Sequence, residues 1–412
     1  MKATVLIATT SRWFPTARLA MALAHAGCAV DAVCPAGHPL VRMGAVRQTH
    51  PYRGLMPLKS FADAVAATKP DFILPGDDLA TRHLHRLYDQ ARQGGGENGR
   101  ELGMLIERSL GAPESFPVVY ARTAFISLAR KAGVRAPRTE VIANLEDLRK
   151  WAVQFGFPTV LKANGTSGGD GVRVVHNLEE AEDAFHALQS PPPLARAVKR
   201  ALVDQDKTLI WSALRRHRFV VNAQEYVTGR EATSAVAAWQ GKVLASLHFE
   251  VIHKRDAAGP SSVVRLIENA EMSATAETMV RQLNLSGLHG FDFMVESDNG
   301  NAHLIEINPR ATQVGHLALG PGHDLPAALY SALSGNPLQA AAKVTDNDII
   351  TLFPQEWMRD PASPFLLSGY HDVPWEEPEL IRACVERRWK PTLRSAAKDP
   401  AQSLSPVRAP RI

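Results

Sequence analysis

The sequence predicts a mixed architecture: a Rossmann-like α/β unit over residues 1–112, then an α+β unit of antiparallel sheets over 113–340. Two observations carry this. Short, fully apolar runs alternate with helical stretches near the N-terminus, the pattern of βαβ units. In the middle, apolar runs instead come in pairs around turn-formers, the pattern of hairpins. A chain of 412 residues also exceeds one ordinary hydrophobic core, so two or more packed units are expected.

ATVLIA (3–8) reads as a buried first strand, ARLAMALAHAG as a helix stopped by Gly27, and AVDAVC (29–34) as a second strand. DFILPGDD (71–78) is a further buried strand ending in Asp77 and Asp78, before the helix ATRHLHRLYDQA. Those two acids sit where open α/β sheets place ligands, and equally where a helix wants its N-cap. The first strand is followed by no G-x-G-x-x-G, which counts against a dinucleotide site. QGGGENGRE (93–101) reads as a surface loop or linker. After the helical ARTAFISLARKAG (121–133), VLK and VRVV form a hairpin around the glycine-rich NGTSGGDG. This is not a Walker loop, which must feed a helix. Its glycines would let backbone N–H groups approach phosphate beside Lys162, or simply make a loose tip. NLEEAEDAFHAL is a helix capped by Asn177, and SPPPLARAVKRALVDQDK a connection with a short basic helix. FVVNAQEYVTGRE reads as a strand, and SAVAAWQGKVLASLHFEVIHK as a hairpin turning at Gln240-Gly241. AEMSATAETMVRQLNL is an amphipathic helix, and DLPAALYSALSG another. The region 341–412 reads as a C-terminal extension whose final stretch is expected to be disordered.

Composition narrows the function classes. Apolar residues at 45% and charged residues at 21% fit a soluble globular protein, not a disordered one. The net charge of +4 comes from scattered Lys and Arg with no basic, aromatic-interleaved stripe, so nucleic-acid binding is disfavoured. Three cysteines without a CxxC pattern read as reduced thiols of a cytoplasmic protein. No apolar run is long enough to span a membrane.

FDFMVESDNGNAHLIEINPR (291–310) raises a chemical question. If this hairpin closes symmetrically about Asn299, Asp292 lies directly opposite Glu306, and like charges in register destabilise a sheet. Asn308, two residues beyond Glu306, shares its face. Two carboxylates and an amide form an oxygen-only set suited to Mg²⁺. The competing reading is a solvated face with an Arg310–Glu306 salt bridge, which suits the apolar run LIEINP poorly.

LKANGTSGGDGV, QEYVTGRE, GFDFM and LIEINPR, in this order, resemble the ATP-grasp superfamily, with residues 1–112 resembling its preATP-grasp domain. The resemblance covers about 113–340, with subdomains near 113–200 and 205–340. It implies an ATP-dependent carboxylate–amine ligase that forms an acylphosphate and releases ADP, using Mg²⁺ or Mn²⁺. Lys162 and Arg122 would meet the nucleotide phosphates; Arg122 stands where many members have Lys. Ser167, Gly168, Gly169 and Gly171 would form a lid. Gln224, with the backbone of Glu225 and Val227, would meet adenine, and Glu231 the ribose. Asp292, Glu306 and Asn308 would hold the metal, and Arg310 would stabilise charge during transfer.

The substrate is less legible. HKRDAAGPSSVVR (253–265) offers Ser262 and Arg265 for a carboxylate, or is a mobile charged loop. Gln313 and His316 follow the INPR run, and a lone histidine is as readily structural. The expected partners are a small-molecule carboxylate and a nucleophile, with a homo-oligomer possible. A phosphotransferase or carboxylase would share the nucleotide residues, although no M-K-M biotin-carrier motif occurs. A non-catalytic nucleotide-binding protein would not need the full Asp292–Glu306–Asn308–Arg310 set.

Overall fold

The computed structural model describes residues 2–164, 171–190, 219–256, 259–339 and 342–385. Three sheets organise them. The first is parallel and four-stranded: β1 (Thr4–Ala8), β2 (Ala29–Cys34), β3 (Gln48–Pro51) and β4 (Phe72–Pro75) in the order β3-β2-β1-β4. Alternate residues feed two cores, as expected where both faces are covered. Leu6, Ala8 and Ile73 pack beneath helices α2 (Pro57–Thr68), α3 (Asp78–Gly94) and α4 (Glu97–Leu110). Val5, Ile7, Phe72 and Leu74 face helix α1 (Pro15–His25) and the third sheet.

The expected loop at 93–101 is mostly helix. Gly95 and Gly96, at φ +64° and +80°, break the chain sharply, and α4 begins one residue later. The polar start of α4 hides an amphipathic helix that buries Leu105, Ile106 and Leu110. Its end is pinned at Gly111, φ +100°, where a Cβ would come within 2.2 Å of the Asn284 carbonyl oxygen. Only glycine permits this backbone bridge to Leu285.

The second sheet is antiparallel: β5 (Thr139–Ile142), β6 (Thr159–Ala163), β7 (Val172–Val175) and β8 (Val221–Glu225), in the order β5-β8-β6-β7. Helices Leu145–Phe155 and Leu178–Gln189 pack Trp151 and Phe185 against Leu161 and Ala163. Asn144 and Asn177 cap them, each accepting a backbone N–H three residues on. The glycine-rich tip, with Ser167, Gly168 and Gly169, lies outside the described residues, as does most of the basic connection after 190.

The third sheet has seven strands: β9 (Arg230–Trp239), β10 (Lys242–Lys254), β11 (Ser261–Leu266), β12 (Gly287–Val295), β13 (Ala302–Asn308), β14 (Ile349–Leu352) and β15 (Tyr370–Asp372), in the order β13-β12-β9-β10-β11-β14-β15. Gln240 and Gly241 both take positive φ at the β9–β10 turn, as a two-residue hairpin requires. One face packs under helices Arg122–Lys131 and Ala270–Gln282. The other shares a core with the first sheet. β14 and β15 belong to the region read as an extension, which here lengthens the sheet by pairing with β11. The final stretch of the chain lies outside the described residues.

Candidate active site

The face of the third sheet turned toward the first domain carries the polar set. β12 and β13 pair with Asp292 directly opposite Glu306 and Gly290 opposite Asn308. A bulge at Ile305 shifts the register above this pair without disturbing it, since Phe293 pairs with Leu304. On the other side of β12, Thr233 lies opposite Asp292 and donates its hydroxyl at 2.9 Å. Asn308 Nδ2 donates to the other Asp292 oxygen at 2.9 Å. Burial, and then the facing Glu306, push the Asp292 carboxyl up to about 6.

Glu306 pairs with Arg122 Nη1 at 2.6 Å, not with Arg310. Arg310 Nε instead lies 3.2 Å from Asp78 Oδ1, Nη2 donates to Asn308 Oδ1 at 3.2 Å, and the guanidinium sits 5.0 Å from the Trp13 ring centroid. The two neighbouring acids therefore divide their work. Asp77 caps α3 through Ala80 N–H and gathers hydrogen bonds from Thr9, Thr10 and Ser11. Asp78 is left to meet Arg310.

Lys162 closes the set from the second sheet. It is buried, and burial pushes its ammonium down to about 8, against the opposing pull of Glu306. Its register partner is Asn222, which donates to the Lys162 carbonyl and to Asn164, and accepts from Thr123. Sequence reasoning passed over Asn222; its signal is the alternation in VNAQ, which puts Asn222 and Gln224 on one face of β8. Gln224 is buried and donates to Thr139 at 2.9 Å. Glu225 accepts the Arg138 N–H at 2.7 Å, and Val227 lies in the turn before β9. Glu231 is held by Lys254 at 2.7 Å, beside a cavity of about 490 Å³ that Arg255 and Arg359 also line. Gly171 is buried where β7 begins.

The remaining candidates are committed elsewhere. Ser262 is fully buried and donates to Glu356 at 2.7 Å. Arg265 stands opposite Glu250, on the face away from Asp292, and its Nη1 lies 3.6 Å from that carboxylate. Gln313 donates to the Ser261 carbonyl and accepts from Gln355. His316 is buried with Nε2 2.6 Å from Asp372, a carboxylate that Arg18 also grips.

The donor set suits a hard divalent cation. Two carboxylates are forced together by β-sheet register, and an amide carbonyl lies on the same face. Among the described residues no cluster of three or more His, Cys, Asp and Glu side chains forms, so the fit rests on this carboxylate–carboxylate–amide set. Substrate oxygens would have to complete the coordination, as Mg²⁺ commonly requires.

Residues 126–314 match the family model of the ATP-grasp domain. The carbamoyl phosphate synthase large chain of Mesorhizobium japonicum is 24% identical over 264 residues, 60% of this chain and 22% of that one. Acetyl-CoA carboxylase of Dictyostelium discoideum is 26% identical over 200 residues, 48% of this chain and 8% of that one. The chain thus spans less than a quarter of the length of either relative. In structure it is similar to the biotin carboxylase domain of Hydrogenobacter thermophilus 2-oxoglutarate carboxylase, solved with MgADP and bicarbonate (TM-score 0.58, 15% identity, 83% of this chain and 72% of that). It is also similar to Staphylococcus aureus N5-carboxyaminoimidazole synthetase, solved with ADP (TM-score 0.56, 14% identity, 82% and 79%). These likenesses establish the fold. Among the described residues no helix is long and apolar enough to cross a membrane.

Proposed function

We propose, from the match of residues 126–314 to the family model of the ATP-grasp domain, that this chain is an ATP-dependent ligase. It activates a small carboxylic acid as an acylphosphate and passes the acyl group to an amine or other nucleophile, releasing ADP and phosphate. The carrying observation is Asp292 opposite Glu306, with Asn308, Arg310 and Lys162 gathered around them. Residues 1–112 act as the preATP-grasp unit and 113–340 as the nucleotide-binding unit, to which strands beyond 341 are added.

The chemistry follows from what a carboxylate lacks. Its leaving group would be oxide, so it must first be phosphorylated. A carboxylate oxygen attacks the γ-phosphorus, the bond to the ADP oxygen breaks, and phosphate becomes the leaving group. An amine then attacks the acyl carbon, phosphate departs and the nitrogen loses a proton. Lys162 and Arg122 neutralise the phosphate oxygens, and Arg310 faces the charge that develops at transfer. Gln224, with the backbone of Glu225 and Val227, lines the adenine side, and Glu231 takes the ribose. Asp292, Glu306 and Asn308 would hold Mg²⁺ or Mn²⁺, which would supply charge neutralisation for the transferring phosphate. Before nucleotide arrives, Arg122 balances Glu306. With nucleotide and cation bound, phosphate oxygens would offer Arg122, and the cation would offer Glu306, a partner of opposite charge.

The test is ATP turnover with Mg²⁺ and panels of acids and amines, separating ADP from AMP and trapping acylphosphate with hydroxylamine. Bicarbonate belongs among the acids, because relatives are named for carboxylation and carbamoyl phosphate synthesis. ADP release dependent on one acid, with a hydroxamate formed, supports the ligase. AMP and pyrophosphate would overturn it.

A further inference from the structure

We propose that Asp78, on the N-terminal α/β unit, is a positioning residue for Arg310, with Trp13 as the platform that sets the guanidinium plane. Its effect on turnover rests on the ligase reading above; its geometry does not.

Three ties join the end of β4 and the start of α3 to the segment just after β13. The Pro75 carbonyl accepts the Ala311 N–H at 3.4 Å. Thr81 Oγ1 donates to the Pro309 carbonyl at 2.9 Å in a buried setting. Asp78 Oδ1 lies 3.2 Å from Arg310 Nε. The first two hold the backbone on either side of Arg310, and the third holds the side chain. Asp78 is itself fixed: it opens α3, its neighbour Asp77 caps that helix, and its carbonyl accepts the Tyr120 hydroxyl at 3.4 Å. Asp77 also organises Thr9, Thr10 and Ser11, which lead directly into Trp13. One carboxylate thus shapes the loop that presents the aromatic platform, and the next one pins the arginine resting on it.

A free arginine explores many rotamers, and a planar fork is useful only when its plane and edge are set. Asp78 takes Nε and the Trp13 ring meets the guanidinium face, while Nη2 meets Asn308 within the carboxylate set. Two units far apart in sequence therefore share one catalytic geometry. Losing Asp78 releases the guanidinium without touching the nucleotide-facing residues of the second sheet.

The test reads arginine Nε–Hε resonances by ¹⁵N NMR, with Arg310 assigned by the signal lost in Arg310→Lys, alongside steady-state kinetics. Asp78→Asn is expected to shift or broaden that resonance and to lower kcat tenfold to about a hundredfold, the range for losing a charged hydrogen bond. KM for ATP and the Kd for MgADP should stay within about twofold. Asp78→Glu should recover most of the rate, and Asp78→Asn added to Arg310→Ala should cost nothing further. If Asp78→Asn does not fold, Trp13→Leu reads the same resonance. An unmoved resonance overturns the proposal, as do equal rate losses in the two backgrounds. If wild-type protein turns over ATP with no acid tried, the resonance decides alone, and its shift upholds the positioning role while the ligase reading fails.

Discussion

Glu306 is a carboxylate made tolerable by its neighbours. It faces Asp292 across a register that cannot slip without exposing the apolar face of β12, and Arg122 balances it. Glu306→Gln keeps the shape and removes the charge. We expect it to lower Mg²⁺-dependent ADP release by about a hundredfold or more, with little change in thermal midpoint; turnover and melting curves check this together. Lys162 yields a pH prediction. Its free ammonium titrates near 8 because burial disfavours the charge, and phosphate oxygens favour it. Nucleotide affinity is therefore full below pH 8 and falls as pH rises beyond it, while Lys162→Gln binds weakly at every pH. Titration calorimetry from pH 6.5 to about 9.5 reads the difference. At this scale the pairing of Asp292 with Glu306 was legible because two like charges in register stand out in an otherwise apolar hairpin. The partners of Ser262 and Arg265, Glu356 and Glu250, were not legible, because they are named only by contact.

The decisive element is the β12–β13 hairpin. Its turn-former cluster and flanking apolar runs predict the pairing of Asp292 with Glu306, and the structure has it. The bulge at Ile305 was invisible, because an extra residue on one strand leaves no compositional mark. Gly290 matters here for space rather than conformation. A Cβ there would lie 2.3 Å from Thr312 Cγ2 and 3.3 Å from Asn308 Cβ. Gly290→Ala should cost about 1–3 kcal/mol and displace Asn308. Urea unfolding would show the loss, and a raised Mg²⁺ requirement for turnover would show the displacement. α4 was misread for the opposite reason: its glycine-rich approach reads as loop, and its apolar face appears only after the first turn.

Across the whole molecule, the described residues beyond 341 are stitched into the sheet and core. Glu356 is fully buried and receives Arg359, Ser262 and Ser363, which hold its carboxyl down at about 2 despite burial. Its folded-state value lies below the ordinary 4.5, so its contribution is present above that pH and is lost as pH falls toward 2. Denaturant melts from pH 6 to about 2.5 should show stability falling below pH 4.5, and Glu356→Gln should be less stable at neutral pH but flatter in that window. Asp372 joins Arg18 near the N-terminus to His316 after β13, so three distant segments meet at one buried carboxylate.

The sequence by itself determined the fold class and the hairpin pairing. These follow from local periodicity, turn chemistry and the rule that strand neighbours alternate faces. Tertiary structure alone decided that Arg122 rather than Arg310 meets Glu306, that Asp77 is a cap while Asp78 reaches Arg310, and that the C-terminal region extends the large sheet. The physical reason is range. Alternation and capping act over a few residues, whereas an ion pair between residues 78 and 310 exists only once the first and third sheets share a core.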